Sequence, residues 1–111
     1  MSVNIAVFAS GRGSNTKNIC SYFSSSSKIR VSLICSNTSS SGVLGYAKEK
    51  KIPFYLFNKS MLVDFIGLKR SLDFYNINLI VLAGFLLKVP EKMILCYPKK
   101  IINLHPSLLP K

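Results

Sequence analysis

The chain predicts an α/β domain with an open, mostly parallel sheet, and three observations carry that prediction. Short apolar runs alternate with segments of helical periodicity, a glycine turn follows the first run directly, and the run Leu79 to Ala83 is apolar throughout. Strands that alternate with helices pair in parallel and connect by right-handed crossovers, and a strand covered on both faces reads as a continuous apolar run.

Val3 to Ala9 is the first strand. It ends in Ser10-Gly11-Arg12-Gly13-Ser14, after which Asn15 to Phe23 carries Ile19, Tyr22 and Phe23 at helical spacing. Ile29 to Cys35 is a second strand, Ser36-Asn37-Thr38 opens a polar loop, and Val43 to Lys50 is a helix. Ile52 to Phe57 is a third strand, with Pro53 where proline is tolerated only at a strand start or an edge. Met61 to Tyr75 fits one helix with Leu62, Phe65, Ile66, Leu68, Leu72 and Phe74 near one side. Leu79 to Ala83 reads as a central strand buried on both faces. Pro90 to Tyr97 is a short helix with Pro90 in its first turn, and Ile101 to Leu104 is a fifth strand, expected to be buried. The serine-rich stretches Ser24 to Ser27 and Ser39 to Ser41 are too short to be linkers and nothing repeats, so residues 1–111 are expected to form a single domain.

Composition narrows the class. With 49% hydrophobic residues and clear apolar periodicity the chain is globular. No apolar run reaches the roughly 18 residues that span a bilayer. The first residues lack the basic region of a secretion signal, so a cytoplasmic protein with no membrane partner is expected. Cys20, Cys35 and Cys96 form no CxxC pair and are expected to be buried thiols. The formal net charge is +11, from 15 basic and 4 acidic side chains. The basic residues stand singly or in short groups (Lys48, Lys50 and Lys51; Lys69 and Arg70; Lys99 and Lys100) without interleaved aromatic platforms, which favours a solvated surface over nucleic-acid binding.

The chemistry should lie at one rim. Open parallel sheets bind ligands beyond the carboxyl ends of their strands, near the point where strand order reverses. Gly11 to Asn15, Asn37, Gly84 to Val89 and Asn103 to His105 all fall at such ends. Gly11-Arg12-Gly13-Ser14-Asn15 can present backbone N–H groups, a hydroxyl and an amide at a helix N-terminus, where a phosphomonoester is favoured. An ordinary turn with Ser14 or Asn15 as N-cap is the other reading of this segment. Asn103 and His105, two residues apart on an extended backbone, face the same side. His105 can act as an acid or base near neutral pH, and Asn103 can donate to a developing oxyanion. A hydrogen-bonded structural histidine is the alternative for His105. It is the only histidine, and one His makes no metal site.

GRGSN after the first strand, VLAGFLLKVP at the fourth and NLHPSLLPK at the fifth resemble the folate-dependent formyltransferase family. The match covers all 111 residues in order and spacing, and NLHPSLLP is specific to that family. Phosphoribosylglycinamide formyltransferases, methionyl-tRNA formyltransferases and formyltetrahydrofolate deformylases share the HPS-type segment. GRGSN favours the first group, whose substrate carries a terminal phosphate. The resemblance implies a Rossmann-like sheet with flanking helices and a role in purine biosynthesis. It implies transfer of a formyl group from 10-formyltetrahydrofolate, a co-substrate, to the amine of glycinamide ribonucleotide, with small-molecule substrates only and no metal. It further implies Gly11, Gly13, Ser14 and Asn15 at the substrate phosphate, and Leu86, Leu87, Lys88, Val89 and Asn103 at the folate. Asn103 and His105 are the implied catalytic pair. Leu87 stands where some relatives carry Arg.

The departure is at the end. In the family an Asp that orients the catalytic His lies well beyond HPSLLP, whereas this sequence stops at Lys111, and none of Glu49, Asp64, Asp73 and Glu91 is placed to replace it. The expectation is an N-terminal part of the family fold, truncated after the fifth strand, with an exposed sheet edge. A missing C-terminal fragment is the expected partner, and little or no activity is expected without it. The alternatives are another formyl-folate relative, or a non-catalytic module that binds a phosphate ligand.

Overall fold

The computed structural model describes residues 2–10, 14–39 and 41–104. In chain order the elements are β1 (Val3–Ala9), α1 (Ser14–Phe23), β2 (Ile29–Ser36), α2 (Ser41–Glu49), β3 (Phe54–Leu56), α3 (Lys59–Asp64), α4 (Ile66–Phe74), β4 (Leu79–Ala83), α5 (Glu91–Cys96) and β5 (Ile101–Asn103). The strands form one sheet in the order β3-β2-β1-β4-β5, and every pair is parallel. The chain starts in the middle, builds outward through β2 and β3, and then crosses to β4 and β5. Strand order therefore reverses between β1 and β4.

Alternation along β1 divides the interior in two. Ile5, Val7 and Ala9 point to one face, where they pack with Ile34, Val81 and Ala83 and with Ile19, Val43 and Ala47 of α1 and α2. Ala6 and Phe8 point to the other, joined by Leu33, Cys35 and Ile80 and by Leu62, Leu68, Leu72 and Met93 of α3, α4 and α5. Residues 5 to 9 are all at most 1% exposed, so β1, like β2 and β4 beside it, is covered on both faces. No helix among the described residues is long and apolar enough to cross a membrane.

Several expectations need correction. The single helix over Met61 to Tyr75 is two helices. Phe65 between them adopts the left-handed conformation (φ 60°, ψ 9°), and the Asp64 carboxylate accepts the Ile66 N–H at 3.0 Å. A bulky residue pays roughly 1–2 kcal/mol for that backbone, offset by burying the Phe65 ring, worth about 1.5–3 kcal/mol. The bend keeps Leu62, Phe65, Leu68 and Leu72 inward and turns Ile66 (60% exposed) and Phe74 (76% exposed) to solvent. β3 is only Phe54–Leu56, an edge strand opened by Pro53 whose carbonyl accepts from Ile34 N–H. β4 is an interior strand, paired with β1 and β5 and buried on both faces as expected, though β1 is the middle one of the five. Pro90 is the N-cap of α5 rather than a residue of its first turn. Cys20 and Cys35 are buried, but Cys96 on α5 is exposed. Most consequential for the site, β5 is an edge strand among the described residues, in line with the exposed sheet edge expected, but its Ile102 and Asn103 are exposed where a buried strand was expected.

Candidate functional site at the carboxyl rim

The strand directions place the segments singled out from the sequence on one rim. β1 runs into the glycine loop, and β4 beside it runs into Gly84, whose φ of 65° turns the chain where a side chain would be strained. β5 ends at Asn103 beside β4. In register, Phe8 stands opposite Leu82 and Leu82 opposite Asn103, so at the usual strand spacing Asn103 lies about 10 Å from Phe8. One strand separates the two ends. Asn103 shares the face of Ile101, which packs into the core under α3, α4 and α5. The ladder continues one residue further, Leu104 N–H donating to Leu82 carbonyl at 3.2 Å.

The backbone of Ser14 and Asn15 opens α1, a helix with no acidic residue in its first turn, so no side-chain carboxylate competes with an incoming anion there. Gly11, Gly13 and His105 lie outside the described residues, as do the side chains of Ser14 and Asn15. Thr16, in the same first turn, has a buried hydroxyl with no hydrogen-bond partner among the described residues.

The loop after β4 sorts its residues by direction. Phe85 packs on Phe8 (centroids 5.7 Å apart, edge to face) and on Phe57 (5.9 Å), and Phe8 meets Phe57 at 5.8 Å, so three rings form a floor under the rim. Leu87 and Val89 lean on the same core, Leu86 is 82% exposed, and Lys88 is exposed. Of the five residues read as folate contacts, four lie on this loop, and among those Leu86 offers an apolar side chain outward. Leu87 and Val89 offer mainly backbone.

Sequence reading missed the hydrogen bonds that organise this rim. Ser10 Oγ–H donates to Asn37 Oδ1 at 2.5 Å and the same oxygen accepts the Leu86 N–H at 3.2 Å, which joins the ends of β1, β2 and β4 through one hydroxyl. Parity was the available signal, since Ser10 continues the face of Ala6 and Phe8 and so points toward the loop beyond β4. Next to it Ser36 holds its own loop, its Oγ accepting Thr38 N–H at 3.1 Å. Asn37, Ser39, Phe57, Asn58 and Met61 line a concavity of about 280 Å³ on the β2–β3 side of this rim. A wider one of about 560 Å³ lies at the opposite rim among Ser24, Arg30, Tyr46 and Lys50, and contains none of the predicted residues. Among the described residues no cluster of His, Cys, Asp and Glu is suited to a metal ion.

The model of the formyl transferase family matches residues 3–111. The chain belongs to that family. The chain is 36% identical to the chloroplastic phosphoribosylglycinamide formyltransferase of Arabidopsis thaliana, over 96% of this chain and 38% of the relative. It is 31% identical to the Haemophilus influenzae phosphoribosylglycinamide formyltransferase, over 96% of this chain and 53% of the relative. The solved phosphoribosylglycinamide formyltransferase of Anaplasma phagocytophilum superposes with a TM-score of 0.82 at 32% identity, over 95% of this chain and 50% of that one. A formyltetrahydrofolate deformylase from Pseudomonas putida shares the fold, with a TM-score of 0.81 at 16% identity over 95% of this chain and 38% of that one. The resemblance carried by GRGSN, VLAGFLLKVP and NLHPSLLPK thus holds for the family and the fold. The chain spans 38% of the length of the first of these curated relatives and 53% of the second.

Proposed function

We propose that this chain supplies one part of a site that moves a formyl group from 10-formyltetrahydrofolate to the amine of glycinamide ribonucleotide, a step of purine biosynthesis, in the cytoplasm. One observation carries the reading. The exits of β1, β4 and β5 share a rim at the reversal of strand order, and the relatives matched over that span are named phosphoribosylglycinamide formyltransferases.

In this proposal Gly11, Gly13, Ser14 and Asn15 hold the phosphate at the start of α1, where the helix N-terminus favours negative charge. Leu86 provides an exposed apolar wall for a flat folate ring, Lys88 stands at its edge, and the backbone of Leu87 and Val89 completes the strip with Asn103. The substrate amine attacks the formyl carbon and the C=O electron pair moves onto oxygen. Asn103 and protonated His105 stabilise that oxyanion. The bond from carbon to the folate nitrogen then breaks, and the proton lost by the amine is returned to that nitrogen.

The edge position of β5 adds a requirement. Asn103 rides on a strand paired on one side only, so we propose that the remainder of the family fold, in the same polypeptide or in another, pairs with β5 and fixes Asn103 and His105 for chemistry. Without it the chain binds the phosphate substrate and turns over little or not at all. A second reading is a module that binds a phosphate ligand without catalysis.

Calorimetry with glycinamide ribonucleotide, followed by a formyl-transfer assay with and without the complementary part of a relative, decides between them. Binding by the chain and turnover only on complementation supports the enzyme reading, with Asn103→Ala lowering the restored rate by about 10²–10³. Binding with no turnover under any complementation leaves the module. Absence of binding at millimolar ligand removes both.

A further inference from the structure

The concavity of about 560 Å³ at the rim opposite the proposed chemistry arises from a mismatch in strand length. β2 begins at Ile29, but β3 joins it only from Ile34 onward. Residues 29–31 therefore pair with β1 alone among the described residues. The last turns of α1 and α2 border the unfilled flank, and a hollow remains between them and the start of β2. Its shape is set by the chain itself. Ser26 Oγ accepts the Lys28 and Ile29 N–H groups at 3.2 Å each, which fixes the turn from α1 into β2. The volume lies within the roughly 300–1,000 Å³ typical of small-molecule pockets.

Two chemistries meet in the lining. Phe23, Ile29, Val31 and Ile52 are half-buried at the margin of the core under α1 and α2, and they form an apolar floor. Arg30 and Lys50, both exposed, add two positive charges. No Asp or Glu is in the lining, and among the described residues neither cation forms an ion pair, the one such pair being Lys69 with Asp73. Glu49, whose charge reaches the Tyr46 phenol, lies outside the lining. Open carbonyls at a helix C-terminus would oppose an anion, but here they are occupied. Ser21 and Phe23 carbonyls accept the Ser24 and Ser26 N–H groups, and Tyr46 and Ala47 carbonyls accept those of Lys50 and Ile52.

We propose that this hollow is a second ligand site, which takes a small organic anion with an apolar body. A carboxylate lies by Arg30 and Lys50 while its hydrocarbon part covers the apolar floor, so burial supplies affinity and the cations select the sign of charge. The same two cations border a neighbouring concavity of about 450 Å³, whose lining adds Asn4, Ser32 and Asn76. The first is the better fit. Buried Cys20 and Tyr46 close it against the core, whereas the second is flanked by Phe74, which is 76% exposed. The inference is independent of formyl transfer, which is proposed at the other rim.

The test uses the 111-residue chain labelled with ¹⁵N, with octanoate as the probe and acetate and octylammonium as controls. Octanoate shifts the amides of Cys20, Phe23, Ile29 and Tyr46 with one saturable midpoint, and the controls leave them in place at equal concentration. Shortening the probe to hexanoate weakens binding about tenfold, as expected for two methylenes that stay in water. Arg30→Gln and Lys50→Gln each weaken octanoate about two- to fivefold, the range for one solvent-facing charge pair. Both residues are exposed, so both variants keep the fold. Equal shifts with octylammonium, or octanoate binding unchanged in the two variants, overturn the preference for an anion. Acetate that matches octanoate overturns the apolar body. Shifts centred on Asn4, Ser32 and Asn76, or on the exposed Ile66 and Leu95 of α4 and α5, overturn the placement, and a spectrum that octanoate leaves unchanged overturns the site.

Discussion

β1 and β5 both feed the same rim, but they are held very differently. β1 is seven residues long, hydrogen-bonded on both sides, and its last five residues are closed off from solvent by helices on each face. β5 is three residues long, bonded to β4 alone, with Ile102 and Asn103 exposed. The loop proposed to hold the substrate anion therefore springs from the best-supported strand, and the side chain proposed for chemistry rides on the least supported. On that proposal, binding is built into this span while catalysis depends on what closes the far edge.

The largest effect should come from cutting at the centre. Phe8, fully buried and in contact with Phe57 and Phe85, should cost about 3–5 kcal/mol on replacement by Ala in guanidinium unfolding. A loss below about 1 kcal/mol would remove the contrast between the strands.

Alkaline pH probes the same interior through α1. Burial pushes the Cys20 thiol up to about 11 from an ordinary value of 9.0, with a hydrogen bond to Tyr46 acting the other way. A thiol with its folded pKa raised stabilises the fold fully below the unfolded value, and that contribution is lost as pH rises toward the folded one. Stability should drop by roughly 2 kcal/mol between about pH 9 and 11 on this account. Burial also raises Tyr97, to about 12, so the informative quantity is the difference between native protein and Cys20→Ala. Identical pH profiles for the two proteins would rule the thiol out.

At the edge the same kind of cut should matter less. Ile102, 40% exposed, should cost under about 1 kcal/mol as Ile102→Ala, and an equal loss at Ile102 and Phe8 would show that β5 is covered in solution. The smallest effect concerns the exit of β1. Thr16→Val removes a buried hydroxyl that has no hydrogen-bond partner among the described residues, so it should be neutral or stabilising by up to about 1 kcal/mol. A clear destabilisation in thermal unfolding would mean that the hydroxyl is satisfied.

The strands were readable because period-two burial and apolar runs report directly on the two-faced core. Val3 to Ala9 and Leu79 to Ala83 coincide with β1 and β4 to the residue. The edge status of β5 was not readable from Ile101 and Ile102 themselves, which look the same whether one side or both sides of a strand are paired; the expectation of an exposed edge rested on the family resemblance alone. The break at Phe65 also carried no signal, since a left-handed residue without glycine or asparagine is set by tertiary packing, here the burial of its own ring. At the site, Asn103 and the glycine loop stood out by residue type and position. Ser10 did not, because a serine before a glycine turn is ordinary in sequence and becomes informative only when Asn37 and Leu86 arrive beside it.

The open flank of β5 has a colloidal consequence. An unpaired strand edge invites another chain to add to it, and Lys99 and Lys100 immediately before Ile101 place like charges on any two copies approaching along that edge, within a chain of net charge +11. Such repulsion reaches about 10 Å at 0.1 M salt and about 3 Å at 1 M. Concentrated solutions of the chain should therefore stay clear in dilute buffer and turn turbid as salt is added, with the lysine pair serving as a gatekeeper against fibrillar stacking.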